Sequence, residues 1–214
     1  MIIAVDGTAA SGKGTLAQGL AAYFGLPCLD TGLLYRAVGL RAGVDDGAPD
    51  YASRAIAVAR SLDPAHLETS RLGTAEVALL ASHVARIPEV RAALIDFQRD
   101  FARQPGGAVL DGRDIGTRIC PEADVKLFIT ADPRVRAARR AAQLTAKGQA
   151  VTTEEILRQI IARDENDRSN PAGAFYPAAD AHLLDTTELD IDAALRAAIA
   201  IVEAVQSGRA GGGA

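Results

Sequence analysis

Cysteine is scarce in these 214 residues, and the two present, Cys28 and Cys120, have neither a CxxC partner nor a histidine pair at ligand spacing. A disulfide framework and a structural zinc site are thereby excluded, and both thiols are expected to be buried and structural. Long apolar runs are also missing. None approaches the roughly 20 residues that span a bilayer, and the first apolar run reaches Asp6 almost at once, so the expectation is a cytoplasmic protein without membrane contact. Nor is there an excess of positive charge: 23 Lys and Arg stand against 27 Asp and Glu, for a net charge of −4 and a pI near 5.4. Coating nucleic acid requires a broad basic surface, so no nucleic-acid partner is expected, and a phosphate ligand would need arginines gathered locally. There is no internal repeat. The only biased tract is Ser207 to Ala214, Gly-rich and without an apolar face, which is expected to fray.

What remains is an ordinary globular balance, 49% hydrophobic and 23% charged, in a chain long enough for one α/β domain with inserts. Ile2-Ile3-Ala4-Val5 is continuously apolar, as suits a parallel strand covered on both faces. Leu16, Leu20 and Phe24 recur at helical spacing from Lys13, and Gly25-Leu26-Pro27 stops that helix. A second helix is read from Gly32 to Arg41, followed by the turn-rich Gly43 to Pro49. Helical periodicity then covers Tyr51 to Leu62, Ala75 to Ala85 and Pro88 to Phe101 with no convincing buried strand. Strands resume at Ala108-Val109-Leu110 and Val125 to Ile129, and Asp132-Pro133 opens a helix. Arginine-rich helices span Arg136 to Arg168, broken at Lys147-Gly148-Gln149, with Thr152 or Thr153 able to cap the second. His182-Leu183-Leu184 is a last strand before a closing helix, Ile191 to Val205. Alternating strands and helices imply an α/β fold with a parallel sheet. The division that follows is a core of 1–42, 105–135 and 172–206, a helical insertion 43–104, a lid 136–171 and a flexible tail 207–214.

Between the first strand and first helix stands Gly7-Thr8-Ala9-Ala10-Ser11-Gly12-Lys13, with the glycine and lysine spacing of a phosphate-binding loop. Glycines let successive amides turn inward around a triphosphate, the helix start adds positive potential, and Lys13 supplies a point charge. Gly14 stands where Ser or Thr usually follows the lysine, and Thr15 comes next, making Thr15 the candidate for Mg²⁺, directly or through water.

Three further segments, Asp30-Thr31-Gly32-Leu33-Leu34-Tyr35-Arg36, Ala81-Ser82-His83-Val84-Ala85 with Pro88-Glu89-Val90-Arg91, and Asp111-Gly112-Arg113-Asp114-Ile115-Gly116-Thr117, together resemble the bacterial cytidylate kinases, as does Gly12 to Thr15. The likeness runs from residue 2 to about residue 205. It implies a P-loop fold of five parallel strands in three layers, acting on ATP with Mg²⁺ as a monomeric CMP or dCMP kinase. It places the acceptor set at Thr31, Tyr35, Arg36 and Arg113, with the two arginines on the CMP phosphate, and cytosine recognition at Ser82 and Arg91. Arg163 and Asp167 match positions tied to the acceptor's pentose and phosphates. Asp111, at a strand end, is expected to orient a Mg²⁺ water or the Arg113 side chain, Asp114 to do similar work, and Asp30 to be an indirect metal partner. Arg139, Arg140, Gln143, Leu144 and Lys147-Gly148 echo the family's lid.

Where the family usually places an arginine, three residues after Asp167, stands Asn170, so either Arg168 substitutes or base recognition leans on Ser82 and Arg91. The family's following Pro-Leu is Ala174-Phe175. The acceptor phosphate is already ionised near neutrality, so catalysis is expected from alignment and neutralisation by Lys13, Arg36, Arg113 and Arg163 rather than from a general base. The rivals are another P-loop kinase with a UMP, AMP or shikimate acceptor, and a non-catalytic switch of the GTPase type. The latter lacks its Asn/Thr-Lys-x-Asp signature here.

Overall fold

Continuous apolar runs make strands whose faces alternate, so β1 (Ile2–Gly7) sends Ile3 and Val5 to one side and Ala4 to the other. In the computed structural model, which describes residues 1–43, 47–63, 67, 71–146, 148–172 and 175–211, β1 lies at the centre of a five-stranded parallel sheet. Its companions are β2 (Cys28–Asp30), β3 (Ala108–Asp111), β4 (Val125–Thr130) and β5 (His182–Asp185), in the order β2-β3-β1-β4-β5. Four of these strands are legible as apolar runs. The fifth, β2, is three residues at the sheet edge, half-exposed and paired only with β3, so it carries no periodicity of its own.

One face of the sheet is covered by α1 (Lys13–Phe24) and α8 (Ile191–Gly211), whose Leu16, Leu20, Ala198 and Val202 meet Ile3, Val5 and Leu127. On the other face Ala4 and Leu110 pack under Ile115 and Ile119, which belong to a five-residue π-helix, Ile115–Ile119. The helix α8 continues six residues beyond the expected Val205, through most of the expected tail, because nothing between Gln206 and Arg209 stops it: there is no proline, and one glycine costs only about 1 kcal/mol. Residues 212–214 of that tail lie outside the described residues, as do Val44 to Asp46 of the expected turn, Lys147 and Ala174.

Four helices, α2 (Thr31–Ala42), α3 (Tyr51–Arg60), α4 (Ala75–Val84) and α5 (Pro88–Ala102), share a second apolar cluster of Leu34, Val38, Tyr51, Ala55, Val84, Val90 and Leu94. A third body is a helix pair, α6 (Pro133–Ala146) and α7 (Thr153–Arg168), joined through Ala137, Leu144, Ile156 and Ile160. Asp132 accepts from the Arg134 amide at the start of α6, 2.8 Å away, and a capping box between Thr152 and Glu155 starts α7. Among the described residues no helix is long and apolar enough to cross a membrane. Both cysteines are free; Cys120 is buried as expected, whereas Cys28, on the edge strand, is only half-buried.

Candidate active site

The strand β1 ends at Gly7, where φ is 150° and a Cβ would lie 2.0 Å from the Ile129 carbonyl oxygen of β4; only glycine fits. The Thr8 amide then donates to that same oxygen at 3.1 Å. Beyond it the loop's carbonyls are held from outside. The Ser11 hydroxyl donates to Thr8 O at 2.9 Å, Arg136 Nη1 donates to Ala9 O at 2.9 Å, and the Thr186 hydroxyl donates to Ser11 O at 3.2 Å. Ala10 takes the left-handed φ of 60°, and Gly12, at 89°, caps α1. With carbonyls tied outward, the first-turn amides of Lys13, Gly14 and Thr15, which have no intrahelical acceptor, form a cradle for an anion. The departure at Gly14 has a local cause. A Cβ there would come within 3.1 Å of the Asp111 carboxylate, so a Ser or Thr would press on the neighbouring strand end.

Positive charge converges on this cradle. Lys13 Nζ lies 3.5 Å from Asp111 Oδ1, and burial, aided by Arg113 and only partly opposed by Asp111, lowers its pKa to about 8. Burial likewise lowers Arg163 to about 10, with Arg113 and Arg36 adding repulsion, and its buried Nε has no hydrogen-bond partner. Arg36 is lowered by burial too, while its Nη1 donates to Leu72 O at 2.8 Å. Arg113 faces the same burial, but the charge of Asp167 and its 2.8 Å bond to Nε, with Asp111 and Asp164 adding to them, together outweigh it and the charge is favoured. Burial also raises Asp111, whose Oδ1 accepts no hydrogen bond. Repelling cations partly withdrawn from water, with one donor unused, suit a polyanion.

A second group forms on the helical side. Arg91, buried on α5, pairs with Asp114 and sets its guanidinium 5.6 Å above the Tyr35 ring, with its own Nε unpaired. Asp114 is therefore the partner of Arg91 and not of Arg113. Ser82 lies outside this group: its hydroxyl donates back to Ala78 O at 3.2 Å within α4. Thr31, expected among the acceptor contacts, donates to Asp111 O at 2.8 Å and so holds the end of β3. Asp30 caps α2, its Oδ1 accepting from the Gly32 amide at 2.9 Å. Arg168 is exposed, 3.9 Å from Glu165, while Asn170 donates to Ala85 O at 3.2 Å and accepts from the Ala172 amide at 2.9 Å.

Three positions that brace the loop or the strand ends around it escape sequence reading. Asp6 accepts from the Ile115 and Gly116 amides at 2.8 Å each, anchoring the π-helix after β3 to the central strand; burial pushes its carboxyl up to about 7 despite both bonds. Arg136 is indistinguishable in sequence from its arginine neighbours on α6, and Thr186 from any loop threonine; only their contacts with the loop single them out.

For Mg²⁺, the exposed Thr15 and the Asp111 carboxylate, whose Oδ1 meets Lys13 only at the long distance of 3.5 Å, suit an ion that keeps most of its waters and takes its other oxygens from phosphates. No cluster of three or more His, Cys, Asp or Glu able to hold a metal occurs among the described residues, so an all-protein cage is not what they offer.

Comparison with known proteins gives a consistent result. The family model for cytidylate kinase matches residues 3–204. A cytidylate kinase of Rhodopseudomonas palustris is 54% identical over 209 residues, covering 98% of this chain and 99% of its own. One from Xanthobacter autotrophicus is 56% identical over 209 residues, covering 98% and 100%. A solved structure of an uncharacterized protein from Eubacterium ventriosum superposes with a TM-score of 0.55 at 17% identity, over 95% of this chain and 98% of that one, a likeness of fold alone.

Proposed function

Because this chain belongs to the cytidylate kinase family, we propose that its cradle holds ATP and that its cationic cluster hands the γ-phosphoryl group to CMP or dCMP, releasing ADP and CDP or dCDP. The observation that carries the assignment of residues is the convergence of Lys13, Arg36, Arg113 and Arg163, half-buried and mutually repelling, beside the loop Gly7 to Thr15. Two phosphate-bearing substrates resolve that repulsion.

The acceptor's phosphate oxygen attacks the γ-phosphorus in line as the bond to the ADP oxygen breaks. Its second pKa is about 6, so no base has to take a proton. Lys13 neutralises the β- and γ-phosphates, Arg36 and Arg113 grip the acceptor phosphate with bidentate forks, and Arg163 fills the space between. Thr15 and Asp111 would hold Mg²⁺ through its waters, and the ion would neutralise charge on the phosphates. Cytosine is read by Arg91, fixed by Asp114 and stacked on Tyr35, with Ser82 turning from its helical bond to the base. Asn170 is committed to the Ala85 carbonyl and Arg168 is exposed, so recognition leans on Ser82 and Arg91. The helices between 43 and 104 close over the acceptor, and the pair within 136–171 closes over the phosphates to exclude water. The protein acts as a monomer on free nucleotides in the cytoplasm, with no nucleic-acid partner.

The decisive experiment measures ADP formation from MgATP with CMP, dCMP, UMP, AMP, GMP and shikimate, for the natural chain and for Arg91→Ala. CMP and dCMP are expected to be the best acceptors, and Arg91→Ala to lower kcat/KM for them by about 100-fold, as loss of a buried charged hydrogen bond dictates. AMP or shikimate as best acceptor would overturn the acceptor assignment and leave the loop chemistry standing.

A pH signature follows from Lys13. Its folded-state value near 8 lies below the ordinary 10.5, so the free enzyme loses this charge as pH rises through 8, and between those values the unfolded chain binds more protons and stability gains with pH. Bound triphosphate favours the ammonium. At about pH 8.5, ATP binding is expected to take up protons, seen as a calorimetric enthalpy that changes with the ionisation heat of the buffer, and this uptake should vanish in Lys13→Ala.

A further inference from the structure

Arg136 is only 2% exposed, and its guanidinium joins three parts of the fold. Its Nε donates to Ala131 O at 2.8 Å, beyond the end of β4. Its Nη1 donates to Ala9 O at 2.9 Å, within the phosphate loop, and to Asp164 Oδ1 at 3.2 Å; its Nη2 donates to Asp164 Oδ2 at 2.7 Å, on α7. The peptide unit is planar, so holding the Ala9 carbonyl outward fixes the direction of the Ala10 amide on the opposite side. Ala10 is the one non-glycine residue with positive φ among the described residues, a conformation that costs energy and persists only where its surroundings impose it. On the other arm, Asp164 is 3% exposed and directly follows Arg163 on α7. Locking Asp164 fixes the rotation of α7 about its axis, and with it the place of Arg163, about 100° round the helix.

We propose that Arg136 is a positioning residue for phosphoryl transfer: one arm sets the Ala10 amide of the ATP cradle, the other sets Arg163 against the transferring group. A buried pair that only bolts α6 to α7 would have no need of the loop carbonyl. The inference rests on the reading of Gly7 to Thr15 as the ATP cradle and of Arg163 as a phosphate contact.

Two variants separate the arms. Asp164→Asn weakens the α7 arm and leaves the bond to Ala9; Arg136→Met with Asp164→Leu removes both arms without stranding a buried charge. Thermal melts confirm that each is folded at the assay temperature, calorimetry without acceptor gives the ATP Kd, and steady-state kinetics with CMP give kcat. Asp164→Asn is expected to keep the ATP Kd within about threefold while kcat falls about 10- to 100-fold, the scale set by a misplaced catalytic group. The double variant is expected to show that loss and, in addition, an ATP Kd raised about tenfold or more, the worth of one hydrogen bond to a charged group. Folded variants with kcat and Kd both near the natural values would reduce the pair to a bolt and overturn the proposal. Equal weakening of ATP binding in both variants would overturn the division between arms. If the natural chain does not phosphorylate CMP at all, the functional reading fails on its own, and the ATP Kd of the double variant still judges the loop arm.

Discussion

Lys13→Ala is expected to lower turnover by ~10³-fold or more with the best acceptor, with a melting temperature within a few degrees of the natural chain. The large kinetic effect comes from the site's charge balance. Lys13 Nζ stands 3.5 Å from Asp111 in a cluster whose other cations are arginines, so no neighbour can move a compact ammonium onto the β- and γ-phosphates. A single neutral donor at a developing charge is worth ~10²- to 10³-fold, and a full charge in a water-excluded site is worth at least as much. The small thermal effect follows from the same burial. A lysine held near 8 pays for desolvation in the empty site, and removing it relieves that cost while leaving Asp111, itself disfavoured as an anion, free to take up a proton. ADP formation beside a thermal melt checks both halves. A variant keeping more than about a tenth of natural turnover would place the transfer chemistry elsewhere.

The second large effect is on folding. Gly7→Ala is expected to destabilise the protein by about 4 kcal/mol, combining backbone strain at positive φ with overpacking. The new Cβ would fall 2.0 Å from the Ile129 carbonyl oxygen and 2.9 Å from that residue's backbone nitrogen, both part of the central β1 and β4 pairing, so no side chain can rotate out of the way. For a chain of this length the melting temperature should drop by about 8 to 16 °C. Activity measured well below the new melting temperature should still be poor, because the displaced strand end is where the cradle begins. Differential scanning calorimetry gives the first quantity. A variant melting within about 2 °C of the natural chain would mean that β1 and β4 can slide apart at little cost.

Much of the fold and the loop could be read along the chain because their signals are local. A strand buried on both faces needs an apolar run, a helix needs its spacing, and a phosphate loop needs small residues and a lysine within a few positions, so Ile2 to Thr15 declared strand, cradle and helix together. Resemblance added Arg36, Arg91 and Arg113. The edge strand Cys28–Asp30 escaped because three residues held only by β3 carry no period, and the extension of α8 escaped because a glycine-bearing end is continued or abandoned according to small differences.

What only the folded chain decided is which charged residue meets which. Nothing along the sequence separates Asp114, paired with Arg91, from Asp111 beside Lys13, or Arg136 under the phosphate loop from exposed Arg134 two residues earlier. Partners such as Arg136 and Ala9 are brought together by the β1 and β4 register and by the packing of α6 on α7. A carboxylate or guanidinium has the same chemistry wherever it stands in a sequence. Its role is set by burial and by the opposite charge within reach, and those are properties of tertiary contact.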